Sequence, residues 1–138
     1  MNRLFFSFLF AVCLLITGCL HPAYEEWREY RIFCGMSRSD GIVSEAEWEQ
    51  FCEDYVTAEF PVGYTTLKAT GYWKSDNSAA TLREDSRVIV ILASSSDAKE
   101  KVRRIARRYG QLFQQDAVLI ATSPADVEFV DAASELEP

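Results

Sequence analysis

Five side chains of this sequence could together bind a small polar molecule or a peptide. Tyr72 and Trp73 provide aromatic planes, and Arg83 and Glu84 add a guanidinium group and a carboxylate further along the chain. Arg38 is a candidate neighbour of this group. Aromatic planes beside charged groups are typical of sites for small ligands and cations. The alternative interpretation is a cross-strand aromatic contact with an Arg–Glu pair that stabilises a β-hairpin.

Two cysteines, Cys34 and Cys52, fall inside the part of the chain that we expect to fold. A disulfide between them is compatible with an oxidising compartment. However, Cys34 lies in a predicted strand and Cys52 on a predicted helix, near the limit of about 7 Å between Cα atoms that a bridge allows. Two separate buried thiols are the alternative, because unpaired cysteine is often buried. In both cases we interpret the two residues as structural.

The sequence lacks the usual combinations for acid–base or nucleophilic catalysis. Its one histidine, His21, precedes the predicted domain, which removes Ser–His, Cys–His and His–metal arrangements from the fold. Asp40 and Gly41 resemble the middle of a calcium-binding loop, but Met36 and Arg38 occupy the places of its first ligands. The sequence therefore predicts no catalytic residue, no cofactor and no metal site.

The start of the chain resembles the signal sequence of a bacterial lipoprotein. A cationic start precedes an apolar segment over residues 4–16, and Ile16-Thr17-Gly18-Cys19 resembles the cleavage site of such signals. We expect residues 1–18 to be removed and Cys19 to carry acyl chains such as palmitate, which anchor a protein in a lipid bilayer. By resemblance to enterobacterial sorting rules, Leu20 after the cysteine favours the outer membrane, on its periplasmic side. A soluble secreted protein and a retained signal anchor are the alternatives, although a membrane-spanning helix needs about 20 apolar residues.

The rest of the chain is long enough for one compact domain with a single hydrophobic core. We expect a lipidated cysteine and tether over residues 19–29, a folded domain over residues 30–130 and an acidic tail over residues 131–138. The chain has a net charge of −7, which is the wrong sign for binding the phosphate backbone of nucleic acids. We therefore expect no nucleic acid among its partners.

The periodicity of the apolar side chains predicts the elements that position these residues. Residues 30–36 form an apolar run of strand length. Ser44 and Glu47 make a capping box, which predicts a helix that ends before Pro61. Residues 64–74 alternate between the two faces of a strand. The first half of the domain is therefore predicted as strand, helix and strand.

The second half of the domain repeats these element types. Residues 81–93 are predicted to pair with the preceding strand as a β-hairpin. Asp97 and Glu100 are expected to cap a second helix, and residues 117–121 predict a last strand. Ser123-Pro124 is expected to form a turn after it.

The resulting order, βαββαβ, is that of the ferredoxin-like split βαβ fold. We therefore predict an α+β domain with a four-stranded antiparallel sheet and two helices on one face. The first and third strands are central in this topology, and both carry apolar side chains on both faces. Large exposed apolar patches are uncommon on soluble monomers. We expect a homodimer whose sheets face each other, with a ligand cavity or an envelope protein partner as the alternatives.

Several spaced blocks of the sequence resemble one known family. The blocks are Gly35-Met36-Ser37-Arg38, Asp40-Gly41, Val43-Ser44-Glu45, Glu47-Trp48, Phe60-Pro61, Gly71-Tyr72-Trp73, Arg83-Glu84 and Ser86. They are similar to the domain of unknown function 3574 family, small bacterial proteins that are often lipoproteins, over residues 30–129. The resemblance implies no activity, since the family has none that is established. Cys34, Cys52 and Lys74 do not belong to its pattern.

Two main hypotheses of function follow, and a purely structural envelope component is a third, weaker option. The first is a non-enzymatic envelope lipoprotein that binds a ligand or a partner at the outer membrane. The second is an enzyme that resembles the cofactor-free dimeric α+β barrels, with a substrate enclosed by the sheet and with Tyr72, Arg83 and Glu84 as candidates for proton transfer. A closed pocket with polar lining on the sheet face would favour the enzyme, whereas a packed contact between sheets would favour the binding protein.

Overall fold

The structure is a computed structural model that describes residues 26–74 and 80–131. The predicted signal segment over residues 1–18, the acylated Cys19 and all but Asp131 of the predicted tail lie outside the described residues. These predictions therefore remain predictions. None of the described helices is long and apolar enough to cross a membrane.

The first half of the domain forms a strand, a short ribbon and a helix. Strand β1 spans Arg28–Gly35, and β2 (Ser37–Arg38) and β3 (Gly41–Ile42) form a two-stranded ribbon beyond its end. Helix α1 spans Glu45–Phe51 and continues as a π-helical segment over Cys52–Thr57. The predicted strand and helix are therefore both present, and the ribbon is an addition to them.

The second half forms the predicted hairpin, a helix and a last strand. Strands β4 (Thr65–Lys74) and β5 (Thr81–Ala93) pair antiparallel, helix α2 spans Ala98–Phe113, and β6 spans Leu119–Pro124. The order in the sheet is β4-β5-β1-β6, with antiparallel pairing throughout. The central strands are therefore β1 and β5, and the predicted ferredoxin-like α+β fold is confirmed.

The start of α1 has the predicted capping box. The backbone N–H of Glu47 donates to the hydroxyl of Ser44 at 3.3 Å, and the backbone N–H of Ser44 donates to the Glu47 carboxylate at 2.8 Å. Both interactions satisfy N–H groups that have no partner within a helix. They fix the residue at which α1 begins.

Two local predictions are wrong. Asp97 is the N-cap residue of α2, as predicted, but the expected capping by its side chain is absent, because its carboxylate lies 3.0 Å from the ammonium group of Lys101 one turn away. Ser123-Pro124 does not form a turn, since both residues belong to the end of β6. Proline is tolerated there because β6 is an edge strand, where a missing N–H breaks few ladder bonds.

The main core lies between the two helices and one face of the sheet. Alternate residues of the central strands, Tyr30, Ile32 and Cys34 in β1 and Ile89 and Ile91 in β5, are buried in it. The helices add Trp48, Phe51, Val102, Ile105, Tyr109 and Phe113. This alternation explains the predicted apolar runs, because every second side chain of a strand points to the same face.

The opposite face of the sheet is not covered by these helices. The strand register places Phe33 beside Val88 and Leu119, and Leu67 beside Val88 on its other side. Val88 is buried but does not belong to the main core. We call this surface the open face; its apolar members are Phe33, Leu67, Val88, Val90, Leu92, Leu119 and Ala121.

Candidate functional site

The β4–β5 hairpin divides four of the five candidate residues between two faces. Tyr72 lies directly opposite Arg83, and Glu84 lies opposite Gly71. Because successive residues of a strand point to opposite faces, Tyr72 and Arg83 share one face, whereas Trp73 and Glu84 share the other. The hairpin therefore does not bring the four side chains into a single cluster.

Arg38, the fifth candidate, is held by the carboxylates of Glu47 and Asp40, neither of which belongs to the β4–β5 hairpin. Its guanidinium group donates to Glu47 at 2.7 Å and lies 2.9 Å from the Asp40 carboxylate. The hydrogen bond to Glu47 raises the pKa of Arg38. Hydrogen bonds from Ser44 and then from Arg38 lower the pKa of Glu47 to about 2. Arg38 therefore ties the β2–β3 ribbon to the first turn of α1.

Glu84 lies on the open-face side of β5 and binds the same ribbon. Its carboxylate accepts a hydrogen bond from the backbone N–H of Ser37 at 2.9 Å. A Cβ atom on Gly35 would lie 2.6 Å from this carboxylate and 2.8 Å from the side-chain oxygen of Gln115. Gln115 in turn donates to the carbonyl of Ser37 at 2.6 Å. The absence of a side chain at Gly35 therefore makes room for both groups that bind Ser37.

A cleft of about 790 Å³ lies between the ribbon, the start of α1 and the hairpin. Its lining includes Arg83 and Glu84, together with Lys68, Arg87 and Glu45. Arg87 forms an ion pair with Glu45, and Lys68 lies directly opposite Arg87 on the neighbouring strand. Cations and carboxylates are mixed in this lining, so the cleft can hold a small polar molecule through charged hydrogen bonds.

The two cysteines lie in the main core as free thiols. Burial raises the pKa of both, and the pKa of Cys52 reaches about 11. The reactive form of cysteine is the thiolate, which is scarce at neutral pH when the pKa is this high. Neither thiol is therefore suited to nucleophilic chemistry.

The described residues give no sign of a metal centre. Within residues 26–74 and 80–131, no group of three or more His, Cys, Asp or Glu side chains is placed to hold a metal ion.

Two residues that position the site escaped the sequence analysis. Gln115 follows α2 and reaches back to Ser37, and no local pattern signals a contact of this range. Arg87 has a signal in the sequence, because it lies two positions before the buried Ile89 and so shares the core-facing side of β5 with it. A charged residue on such a side is unusual unless it is paired.

A family model described as "Protein of unknown function (DUF3574)" matches residues 29–129. No curated protein matches the chain. Among solved structures, a phage SAM lyase in complex with S-methyl-5'-thioadenosine is 19% identical with a TM-score of 0.57, over 72% of this chain and 81% of that chain. A phage SAM lyase in its apo state is 18% identical with a TM-score of 0.55, over 72% of this chain and 82% of that chain. CutA from Synechococcus elongatus PCC7942 is 10% identical with a TM-score of 0.49, over 73% of this chain and 78% of that chain. At these identities the likeness to the lyase shows a shared fold alone.

Proposed function

Because the chain belongs to the DUF3574 family, whose description names no activity, we propose a function from its geometry. The domain is a non-catalytic binding module that forms a homodimer through its open face. Acyl chains on Cys19 anchor it at the outer membrane, on the periplasmic side. An envelope protein is the alternative partner for the same surface.

The observation that supports this proposal is the exposure of leucines on the open face. Leu67, Leu92 and Leu119 expose 50%, 46% and 64% of their surface. Removing apolar surface from water contributes about 25 cal/mol per Å², and extended apolar patches on soluble domains mark interaction surfaces. Contact with a second open face would remove these side chains from water.

Polar residues also belong to the open face. Glu29 lies beside Leu92 at one end of the face, and its partner in a 2.5 Å ion pair, Arg31, lies nearer the centre, between Val90 and Ala121. Glu84 and Ser86 lie at the other end, beyond Val88 along β5. Protein interfaces combine apolar contacts with polar groups, so Arg31 and Glu29 would stay paired with each other within the contact.

The mass of the soluble domain in solution tests this proposal. Every described residue of the hydrophobic core lies between Tyr30 and Phe113, so a chain that begins at residue 20 retains that core. Light scattering after size exclusion is expected to give the mass of a dimer. Leu92→Glu is expected to give a folded monomer, because it places a second carboxylate on the contact surface, directly opposite Glu29.

Leu112→Glu provides the matched control. Leu112 is exposed to 40%, close to Leu92 at 46%, but lies on α2 rather than on the sheet. This variant is expected to remain a dimer. A monomeric parent at its highest soluble concentration would contradict self-association, and a dimeric Leu92→Glu variant would contradict the assigned surface.

A second candidate function is an enzyme that resembles the cofactor-free dimeric α+β barrels. The position of Glu84 favours it, since this carboxylate lies on the open-face side between two residues without side chains, Gly35 and Gly71. The separation of Glu84 from Tyr72 and Arg83, on the other face of the hairpin, argues against the three acting together.

Ligand binding distinguishes this second candidate. S-methyl-5'-thioadenosine is the molecule bound in the phage SAM lyase that shares this fold. Calorimetric titration of the soluble domain with this compound would support the enzyme if binding occurs and is lost in Glu84→Gln. Absence of heat with the dimeric parent would leave the binding module as the better account.

A further inference from the structure

The β4–β5 hairpin extends beyond the rest of the sheet. Pairing between β1 and β5 ends at Gly35 opposite Ser86, whereas pairing between β4 and β5 continues to Lys74 opposite Thr81. We call the extension, Gly71–Lys74 with Thr81–Glu84, the distal arm. With four residues per strand it projects about 13 Å. Two strands without further packing contribute little stability in water, so a surface packed against the distal arm would stabilise it.

The distal arm carries a pair of apolar side chains on the same side as the open face. Trp73 and Leu82 lie directly opposite each other there. They are exposed to 50% and 42%, and Glu84 and Ser86 lie between them and Val88 along β5. The other side of the arm carries Tyr72 opposite Arg83, and Tyr72 is exposed to 68%. A partner that extends past Glu84 and Ser86 would therefore meet Trp73 and Leu82 as well as the open face.

The distal arm enlarges the surface that a contact could cover. Four strands with the length of β1 give a flat footprint of about 500 Å², and one side of the distal arm adds about 130 Å². A stable interface buries about 800 Å² of accessible surface on each partner, a measure that also counts the sides of the side chains. A contact that includes the arm is therefore closer in size to a stable interface than one that leaves it out.

We propose that the distal arm of each copy lies on the open face of a second copy, with Trp73 and Leu82 packed against its exposed leucines. The inference rests on the proposed homodimer and names the residues that hold it together. A second copy is the occupant because this one chain carries both the projecting apolar arm and the apolar face that would receive it. Reciprocal exchange of two arms about a two-fold axis gives a closed assembly.

A pair of variants on opposite sides of the arm tests the proposal. The double variant Trp73→Ser/Leu82→Ser is expected to weaken self-association by about 100-fold or more, the effect of removing a central aromatic anchor. Tyr72→Ser is the matched control, because Tyr72 lies on the same arm and is more exposed than Trp73. It is expected to change the dissociation constant by less than about threefold. Sedimentation equilibrium measures both constants, and far-UV circular dichroism checks that the variants are folded.

A disulfide trap gives a positive test, because a covalent bond captures the contact even when the substitutions weaken it. Trp73 lies on β4 and Leu119 on β6, the two edges of the sheet, about 24 Å apart within one copy by strand geometry. This distance is far beyond the limit of about 7 Å between Cα atoms for a disulfide. Under mild oxidation, Trp73→Cys/Leu119→Cys is therefore expected to form a covalent dimer, and Tyr72→Cys/Leu119→Cys is expected to remain uncoupled.

The outcomes separate this inference from the proposed function. If the parent chain is a monomer, the proposed homodimer fails and the arm contact fails with it. If the parent is a dimer that Leu92→Glu dissociates, but neither the serine variants nor the trap shows an effect, the homodimer stands and the arm contact is wrong.

Discussion

The backbone N–H of Ser37 donates to the carboxylate of Glu84 at 2.9 Å, across 47 positions of sequence. The carbonyl of the same residue accepts from Gln115. Side chains of two distant elements thus bind both backbone groups of Ser37. The absence of a side chain at Gly35 leaves room for them. The β2–β3 ribbon, which forms one wall of the charged cleft, is fixed by this arrangement.

Gly35→Ala is expected to destabilise the domain by about 1–2 kcal/mol, because the methyl group displaces Glu84 or Gln115 from Ser37. The direction of this change in stability is informative, since alanine in place of glycine within a strand otherwise stabilises a protein by about 0.5–1 kcal/mol. Urea unfolding measures the change. The double variant Gly35→Ala/Glu84→Ala should lose less stability than the sum of the losses in the two single variants. A stabilised Gly35→Ala variant would show that the carboxylate is not held there.

The Glu47 carboxyl is expected to titrate with a pKa of about 2 instead of the ordinary 4.5. Because the folded-state pKa is the lower one, the stabilisation is complete above pH 4.5 and is lost as the pH falls towards 2. Ser44→Ala should raise this pKa more than Arg38→Met, since the hydrogen bond from the Ser44 side chain is the largest cause. Carboxyl chemical shifts followed against pH measure all three values. If Arg38→Met raised the pKa of Glu47 more than Ser44→Ala does, Arg38 rather than Ser44 would be the main cause of the low pKa.

Tyr109→Phe is expected to cost about 1 kcal/mol of stability. The buried hydroxyl of Tyr109 donates to the carbonyl of Gly35 at 2.7 Å, and phenylalanine keeps the ring packing but not this bond. Tyr55→Phe is the comparison, because its hydroxyl accepts from Arg108 at an exposed position. Its effect on the midpoint of urea unfolding should be the smaller of the two. Equal effects would show that burial does not strengthen the Tyr109 bond.

The thiols of Cys34 and Cys52 are expected to be unreactive in the folded domain and available once it unfolds. Both are buried and free, and their raised pKa values suppress the thiolate. Reaction with a chromogenic disulfide reagent should be negligible in buffer and should count two thiols in urea, using the chain that begins at residue 20. A sample reduced beforehand and desalted serves as the control. A count of zero in the unreduced, unfolded chain would show a Cys34–Cys52 disulfide instead.

The fold could be predicted from the sequence because its signals are local. The capping box joins Ser44 to Glu47 within one turn, and the apolar runs of β1 and β5 correspond to strands with packed side chains. The two predictions that were wrong also concern short stretches of the chain. Asp97 is attracted to Lys101 rather than to the helix end, and nothing near Ser123 signals that β6 continues along β1 to Pro124.

The candidate site was much less predictable. Neighbours in sequence such as Tyr72 and Trp73 suggest one cluster, but the two-residue period of a strand separates them to opposite faces. Arg38 and Glu84 have the residue types of a binding site, yet the structure uses both to hold the β2–β3 ribbon. A charged side chain has the same sequence signal whether its partner is a ligand or a backbone group.

The sequence by itself determined the type and order of the main elements. These follow from interactions between residues a few positions apart, which repeat with the period of a helix or a strand. The central place of β1 and β5 and the apolar face that two helices leave uncovered then followed from the fold that has this order. Only the tertiary structure decided that Ser37 meets Glu84 and Gln115, at separations of 47 and 78 positions. Such contacts depend on the register between strands and on where the chain turns back, and neither is encoded within a short window of sequence.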